Sequence, residues 1–346
     1  MKSTSLLFLF LFCAVLISFF PGFGSAVVSG DCEDCHSLFP GLLDKTLREK
    51  YVSTNTLCVI CHSSDSAITV KILGRSRVPV VFNTAEPEQS LAGGNFFYVS
   101  QYGGDRKGHN VDGITSLDQK FRGHPPGYDR DIDPSLKGYV DKNTLKCAGS
   151  NGCHGNRNIE DPFDSITGSH HAVDKPVDGS TTAKSYRFLK NTEEVKGVTG
   201  LEDDEWGRRS SPKKHNEYSI SMDMFCASCH AQFHRKEEME KIGPWFRHPT
   251  GIVLPETGEY ASYNPDIPSP EDGTEARIFN PEAPLARPKV PQTSSDLVKP
   301  GEDYVICLSC HVAHSSPYDS ILRWDYDNIY TDEEGMGGCT ICHTGK

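Results

Sequence analysis

The stretch Cys307-Leu-Ser-Cys310-His311-Val-Ala-His314 contains a pattern that recurs along the whole chain: two cysteines separated by two residues and followed at once by a histidine. The pattern occurs five times in 346 residues. Chance at the observed cysteine and histidine frequencies gives about 0.02 occurrences. The spacing therefore reflects a chemical requirement. The five copies are Cys32, Cys35 and His36; Cys58, Cys61 and His62; Cys226, Cys229 and His230; Cys307, Cys310 and His311; and Cys339, Cys342 and His343.

Cys-x-x-Cys-His is the attachment pattern of c-type haem. The two thiols bond to the two vinyl groups of the haem, and the next imidazole reaches the iron from one face. One helical turn brings the three side chains together. A disulfide framework or a set of zinc sites leaves the regular histidine unexplained. The motifs therefore predict five covalently attached haem c groups with the motif histidines as proximal iron ligands.

A sixth site is irregular, because five residues separate the cysteines in Cys147-Ala-Gly-Ser-Asn-Gly-Cys153-His154. Gly149 and Gly152 permit a bulged loop that brings the two thiols together. The alternative is a disulfide beside an unrelated histidine. After the N-terminal segment, Cys147 and Cys153 are the two cysteines that the five regular motifs leave unused. We therefore expect a sixth haem c here, with His154 as its proximal ligand.

The histidine count supports two histidine ligands on each iron. Of 14 histidines, six belong to the motifs, which leaves eight for six distal positions. His124, before Pro125-Pro126, is the candidate that the count needs least. Few methionines are present, and bis-histidine ligation without methionine implies low reduction potentials. The seven other predicted distal ligands are His109, His170, His171, His215, His234, His248 and His314.

The N-terminus has the features of a secretory signal peptide. Lys2 precedes an apolar run from Leu6 to Phe20, and small residues follow at Gly24-Ser25-Ala26. The alternative is a retained membrane anchor, for which the run is short. We therefore expect residues 1–26 to be removed, with no membrane span in the mature chain. The protein is then secreted, to the periplasm, the cell surface or the extracellular medium. Its formal charge of −12 argues against a nucleic-acid partner.

The composition predicts an unusual body for residues 27–346. Hydrophobic residues make up only 36%, and 31 glycines and 22 prolines indicate many turns. The predicted fold class is mostly irregular, with short α-helices and little β-structure, wrapped around a chain of closely packed c-type haems. A Pro-rich stretch over 251–303 is either a disordered linker or an ordered strap over haem edges, which its interspersed apolar residues favour. Haem sites one and two fall in 27–72, site three in 141–190, site four in 222–250, and sites five and six in 304–346.

Six haems in one chain predict electron transfer between redox partner proteins, by hopping between haem edges and without catalytic residues. The alternative is a multihaem reductase of a small oxyanion such as nitrite. A reductase needs an iron with an open or lysine-ligated position. The surplus of histidines and the absence of a Cys-x-x-Cys-Lys motif favour the electron carrier.

The order of these motifs resembles the OmcS-type family of hexahaem extracellular cytochromes, which polymerise into conductive filaments. The resemblance implies six haem c groups, electron conduction and a possible head-to-tail homopolymer. The matching stretches are Asp31-Cys-Glu-Asp-Cys-His36, Asp105-Arg-Lys-Gly-His-Asn110, Phe225-Cys-Ala-Ser-Cys-His230 with His234, Arg247-His-Pro-Thr-Gly251, Cys307 to His314 with Tyr318-Asp-Ser320, and the terminal Cys339 to Lys346.

The sequence departs from that family after the first motif. There, a nearby histidine can ligate a haem of the next subunit, whereas this chain continues Ser37-Leu38-Phe39. The second motif is likewise followed by Ser63-Ser64-Asp65 and not by a nearby histidine. A filament and a discrete monomeric carrier both remain open.

Overall fold

The structure is a computed structural model, and it describes residues 33–34, 54–116, 118, 124–127, 145–170, 177–190, 197–203, 206–207, 211–234, 248–264, 277–329 and 338–343. In these segments the regular elements are short, and most residues lie in turns and irregular loops. The predicted fold class is confirmed in this respect. The α-helices are α1 (Thr54–His62), α2 (Phe97–Ser100), α3 (Pro162–Ser165), α4 (Ser221–Ala227) and α5 (Cys307–Cys310). The 3-10 helices are Tyr186–Phe188, Ala231–His234, Gly258–Ser262, Asp319–Ile321, Tyr326–Asn328 and Gly338–Ile341.

The strands are equally short and form small sheets. Their bounds are β1 Ser63–Ser64, β2 Val70–Leu73, β3 Ser76–Pro79, β4 Phe82–Asn83, β5 Lys146–Ala148, β6 Gly152–Asn156, β7 Leu189–Lys190, β8 Gly200–Leu201, β9 Glu217–Ser219, β10 Ile252–Val253, β11 Arg277–Ile278, β12 Ala286–Arg287, β13 Leu297–Val298 and β14 Tyr304–Val305. The largest sheet has the order β10-β14-β12-β9-β8, with β12 parallel to β9 and antiparallel to β14. In the described part of the chain, no helix combines the length and apolar character of a membrane span.

Asp34, which lies inside the first Cys-x-x-Cys-His motif, contacts the hairpin formed by β2 and β3. Its Oδ2 accepts a hydrogen bond of 2.7 Å from the backbone N–H of Arg75 and one of 3.2 Å from the hydroxyl of Ser76. These two bonds give a hydrogen-bond acceptor to polar groups at the turn between β2 and β3. They also place the first motif beside the segment that directly follows the second.

The core is divided into three small clusters, and a motif cysteine packs against each. Cys153 contacts the first cluster, Cys342 the second and Cys147 the third. The apolar clusters therefore lie between the attachment sites and support them. Their buried members are Tyr186, Leu189, Val198, Tyr218, Met222, Ala286, Ile306 and Leu308 in the first, Leu254, Tyr263, Phe279, Ala283, Leu285, Val298, Val305 and Ile341 in the second, and Phe96, Val99 and Val111 in the third.

The described parts of the Pro-rich segment belong to this core. Tyr263, Phe279 and Leu285 are at most 1% exposed. The Tyr263 hydroxyl donates a hydrogen bond of 2.9 Å to the carbonyl of Ala283, which joins two described parts of the segment. Apolar side chains spaced between prolines thus hold an extended stretch in place.

A buried ionic cluster joins β12, which belongs to this segment, to β9 of the largest sheet. Arg287 on β12 donates to a carboxylate oxygen of Glu217 on β9 at 2.7 Å and to one of Asp303 at 2.7 Å. All three side chains are at most 6% exposed. Burial acts to raise the pKa of Glu217, but hydrogen bonds from His215 and Arg287 outweigh it and hold that pKa below its ordinary value. For Asp303, burial wins over the attraction of Arg287 and raises the pKa.

Replacing Arg287 tests how far the fold depends on this cluster. The substitution Arg287→Ala leaves two buried carboxylates without their cation, so we expect the free energy of unfolding to fall by about 3–5 kcal/mol. The control is Lys299→Ala, because Lys299 forms an exposed ion pair of 3.4 Å with Glu302, and such pairs contribute about 0–1 kcal/mol. Denaturant unfolding of the haem-loaded protein, followed by circular dichroism, measures both. Equal losses in the two variants would contradict the prediction.

Candidate haem-attachment sites

The second motif forms the last turn of a helix, as the attachment chemistry requires. Its predicted attachment cysteines, Cys58 and Cys61, are three residues apart on α1, and His62 ends that helix. Residues at this spacing lie on the same face of a helix. Both cysteines are partly buried. The structure therefore places Cys58, Cys61 and His62 together, where one haem can reach all three.

Three other regular motifs also close one helical turn. The two cysteines of the fifth motif begin and end α5. In each of the three, the backbone N–H of the histidine donates to the backbone carbonyl of the first cysteine. These bonds are His230 to Cys226 at 3.1 Å, His311 to Cys307 at 3.0 Å and His343 to Cys339 at 2.8 Å. Cys32, Cys35 and His36 of the first motif lie outside the described residues.

The irregular third motif is a tight loop between two parallel strands. Gly149 has a φ of +87°, which a residue with a side chain rarely adopts. Its N–H donates to the carbonyl of His154 at 3.2 Å, and the N–H of Gly152 donates to the carbonyl of Gly149 at 2.9 Å. The extra residues are thereby folded into a compact bulge. Cys147 and Cys153 are not joined in a disulfide, which does not favour the alternative interpretation of this motif.

Four motif histidines each face a histidine from a different segment of the chain. In every pair one ring belongs to a motif and the other does not. The distances between ring centres lie between 5.9 and 6.5 Å. The pairs are His62 with His170 at 6.0 Å, His230 with His109 at 6.1 Å, His154 with His314 at 6.5 Å and His343 with His248 at 5.9 Å.

These distances fit one iron between two imidazoles. Two imidazoles bonded to a metal from opposite sides, at about 2 Å each, have ring centres roughly 6 Å apart. Ordinary aromatic pairs cover the same distance range. The combination of one motif histidine and one other histidine in each pair, beside a pair of cysteines, is what favours a haem site. The residues present therefore fit haem c.

Backbone carbonyls fix the orientation of the motif rings. His62 Nδ1 lies 2.9 Å from the carbonyl oxygen of Pro79, and His230 Nδ1 lies 2.7 Å from that of Pro126. A carbonyl accepts only, so Nδ1 carries the proton and Nε2 keeps the lone pair that a metal needs. Three further rings are held in the same way: His109 by Ala313, His154 by Arg187 and His311 by Ser320, each at 2.8 Å.

Burial keeps these imidazoles neutral. It lowers the pKa of His230 to about 4 and that of His314 to about 3. Burial likewise lowers the pKa of His62, His109 and His154, in each case as the largest cause. A neutral imidazole is the form that ligates a metal. The packing of the chain therefore prepares these rings for ligation at neutral pH.

The attachment cysteines of successive motifs lie next to one another. The thiols of Cys147 and Cys58 share a hydrogen bond, and this contact raises the pKa of Cys147. A thiol contact with Cys226 raises the pKa of Cys307 in the same way. Sites two and three, and sites four and five, are therefore direct neighbours.

Two other pairs of successive sites influence each other through smaller electrostatic contributions to their cysteine pKa values. Burial raises the pKa of Cys153 to about 12, with a further contribution from Cys229. Burial raises the pKa of Cys310 to about 11, with a further contribution from Cys339. Sites three and four, and sites five and six, are thus also close. The motifs follow one another in space from the second to the sixth.

His215 differs from the other predicted distal ligands. Its ring is 2% exposed and stacks on Phe279 at 3.6 Å between ring centres. Its Nδ1 lies 3.0 Å from the carbonyl oxygen of Ser211, and its Nε2 lies 3.2 Å from Glu217 Oε1. Both nitrogens thus face protein oxygens within the buried ionic cluster, so we leave His215 out of the ligand set proposed below.

The remaining predicted ligands are only partly visible. His171 lies outside the described residues, and so does the side chain of His234. His124 is half-buried, two residues before Pro126, whose carbonyl orients His230. Among the described residues, no second histidine ring pairs with His311.

Aromatic neighbours of the paired histidines were not predicted from the sequence. Phe96 stacks on His314 at 4.7 Å between ring centres, and Tyr260 packs on His343 at 5.1 Å. Phe188 lies 6.2 Å from His170. These aromatic residues are far from the motifs in sequence, and no spacing rule connects them to a ligand. Their roles depend on the tertiary fold.

Comparisons with known proteins show which fold the chain shares. No family model matches the chain. The C-type cytochrome OmcS of Geobacter sulfurreducens is 24% identical, over 91% of this chain and 83% of that protein. The structure resembles the outer membrane cytochrome S filament of Geobacter sulfurreducens with a TM-score of 0.53, at 21% identity over 89% of this chain and 86% of the other.

The chain shares the fold of OmcS. A second structure, of the OmcS nanowires from Geobacter sulfurreducens, matches with a TM-score of 0.51, at 20% identity over 91% of this chain and 88% of that chain. The similarity thus extends over most of both chains. In this chain the fold consists of loops, short helices and small sheets. The match agrees with the predicted resemblance.

Spectroscopy can test the ligand pairs. In His248→Gln we expect roughly one iron in six to become high-spin, because its distal ligand is gone, while haem content stays unchanged because the cysteines remain. The matched control is His215→Gln, which removes a histidine outside the proposed set and keeps a hydrogen-bonding group beside Glu217. Electron paramagnetic resonance of the oxidised protein measures the high-spin fraction. A high-spin signal in the control, or none in His248→Gln, would assign the ligands differently.

Proposed function

We propose that this chain is a secreted hexahaem c-type cytochrome that conducts electrons from haem to haem outside the cytoplasm. One observation carries the proposal: four histidine pairs with ring centres about 6 Å apart stand beside attachment cysteines that are neighbours in space. Closely spaced haems with both axial positions filled are suited to passing electrons. Haem, when bound, supplies the one-electron chemistry of its iron.

The chain's own residues hold and shape the sites. Each cysteine pair, such as Cys58 and Cys61 on α1, would hold a haem covalently, and each histidine pair would supply the ligands of its iron. Carbonyl groups such as those of Pro79 and Pro126 orient the imidazoles, which sets their basicity as ligands. The three small apolar clusters exclude water from one side of the attachment cysteines. Burial in turn influences the reduction potential of an iron.

The proposed ligand set follows from the pairs. Sites two, three, four and six take His170, His314, His109 and His248 as distal ligands, respectively. His314 follows the fifth motif in sequence but faces His154 of the third, so it connects the two sites. The distal positions at His36 and His311 are then left to His124, His171, His234 or a histidine of another copy. Two facing histidines at each of four sites give no support to the reductase alternative.

Polymerisation is the finer part of the proposal. The similar solved structures are those of a filament and of nanowires. In this chain Cys339 is exposed, whereas the nine other described cysteines are partly buried. A haem attached there would lie with one apolar edge near the surface, and exposed apolar patches mark contact sites. Contact between two different surfaces of successive copies produces an open fibre. Other redox proteins are the expected donors and acceptors.

The number of haems tests the assignment of the motifs. A pyridine haemochrome assay normalised to protein should give six haems per mature chain. In a variant with both Cys147→Ala and Cys153→Ala the value should fall to five, because only the third site loses its thiols. A wild-type value of five, unchanged in that variant, would remove the irregular motif from the set.

The matched control for this count is the regular second motif. In a variant with both Cys58→Ala and Cys61→Ala the haem content should also fall by one, because α1 then offers no thiol to a haem. The same assay measures it. A haem content that stays at the wild-type value in this variant would contradict the assignment of a regular motif and with it the count of six.

Micrographs of the native secreted protein test polymerisation. We expect fibres in negative stain, and we expect none when Cys339→Ala and Cys342→Ala together remove the haem of the exposed end. Haem content of five and an unchanged circular dichroism spectrum would show that this variant is otherwise folded. A wild-type protein that stays monomeric over a wide concentration range, without fibres, would leave the discrete carrier.

A further inference from the structure

The sixth motif differs from the others in what its histidine ring contacts. Four described motif histidines, His62, His154, His230 and His311, turn Nδ1 toward a backbone carbonyl at 2.7–2.9 Å. The fifth, His343, instead faces a carboxylate: its Nδ1 lies 3.3 Å from Oε1 of Glu259. Among the five described motif histidines, the acceptor is thus charged at the sixth motif and neutral at the other four.

The fold holds Glu259 in this place. It lies in the 3-10 helix Gly258–Ser262, and the next residue, Tyr260, packs edge-on against the His343 ring at 5.1 Å. Just beyond this helix, the N–H of Asn264 donates a 2.8 Å hydrogen bond to the carbonyl of Ile341, inside the sixth motif. Two contacts therefore fix the helix against the motif, independently of the carboxylate.

The carboxylate is sheltered enough to act on the ring. The side chain of Glu259 is 19% exposed and that of His343 is 24% exposed. Water screens such a pair less than a pair on the open surface. A hydrogen bond to a charged acceptor is stronger than one to a neutral carbonyl. It therefore gives the imidazole more electron density to donate.

We propose that Glu259 is a positioning residue that lowers the reduction potential of the sixth haem by accepting a hydrogen bond from the Nδ1–H group of His343. A more basic axial ligand favours oxidised over reduced iron. The proposal rests on the proposed function, because it needs a haem at Cys339 and Cys342.

A lower potential at the sixth haem gives electron transfer along the chain a direction. Since electrons move toward higher potential, an electron that enters at the sixth site runs on toward sites whose histidines bond to carbonyls. The exposed C-terminal site then suits a low-potential donor.

The test replaces the charge but keeps the shape. In Glu259→Gln an amide oxygen replaces the carboxylate, and we expect one of six haem couples to move to higher potential. At a fixed potential its ratio of reduced to oxidised iron should rise about tenfold, which is about 59 mV for a one-electron couple. The matched control is Glu256→Gln, which removes the same charge from an exposed side chain of the same segment that lies against Gly301. It should leave all six couples within about twofold of the wild type. Spectropotentiometric titration of the haem-loaded protein measures both variants.

A second measurement does not depend on how the Glu259 variant folds. The variant with Cys339→Ala and Cys342→Ala should lack the couple at the low end of the wild-type titration. Loss of a couple from the high end would overturn the proposal, as would an unchanged titration in Glu259→Gln or equal shifts in both glutamine variants. Haem content separates this failure from failure of the proposed function. If the cysteine variant keeps the wild-type haem content, the sixth site holds no haem and the assignment of the motif is wrong.

Discussion

The distance between paired imidazoles is the constraint on which the rest of this structure depends. Two rings with centres about 6 Å apart, one on each side of a space, have to be presented by segments from different parts of the chain. The motif rings are then oriented through Nδ1, those of His62, His154 and His230 by a carbonyl of another segment. The orienting carbonyls of Pro79, Arg187 and Ser320 lie in a short strand or a 3-10 helix, and that of Pro126 lies in a turn. The short elements and turns of the chain therefore serve to bring these carbonyls to the histidine rings.

The small size of the apolar clusters follows from the same constraint. A chain of this length normally buries a large continuous core, yet here the described clusters are separate and each packs against a motif cysteine. Loops and turns lose much conformational entropy on folding. Covalent attachment of a large flat apolar group near each cluster offsets that cost in the proposed protein.

Charges in this fold serve two separate purposes. Around Arg287 they join β12 of the Pro-rich segment to β9 of the largest sheet, and His215 contributes to that cluster through Glu217. Beside His343 a single carboxylate contacts a proposed iron ligand. The two histidines show that the same residue type has different roles, which are decided by the acceptor that its nitrogens meet. The Arg287 cluster and the Glu259–His343 pair both lie where solvent access is reduced. Electrostatic interactions are stronger there than at the open surface.

The sequence by itself determined the general fold class of this protein, and it predicts the attachment chemistry. The Cys-x-x-Cys-His spacing is local, so one helical turn is enough to realise it, and low apolar content with many glycines and prolines predicts the loop-rich chain that the structure has. The number of histidines indicated two ligands for each iron. Only the tertiary structure decided which histidines meet. His215 in Lys-His-Asn and His248 in Arg-His-Pro looked alike as candidates, yet one stacks on Phe279 and the other faces His343. The contact of Glu259 with His343 was equally invisible, because these residues are 84 positions apart. Distances between remote segments depend on how loops pack, and no local spacing in the sequence encodes them.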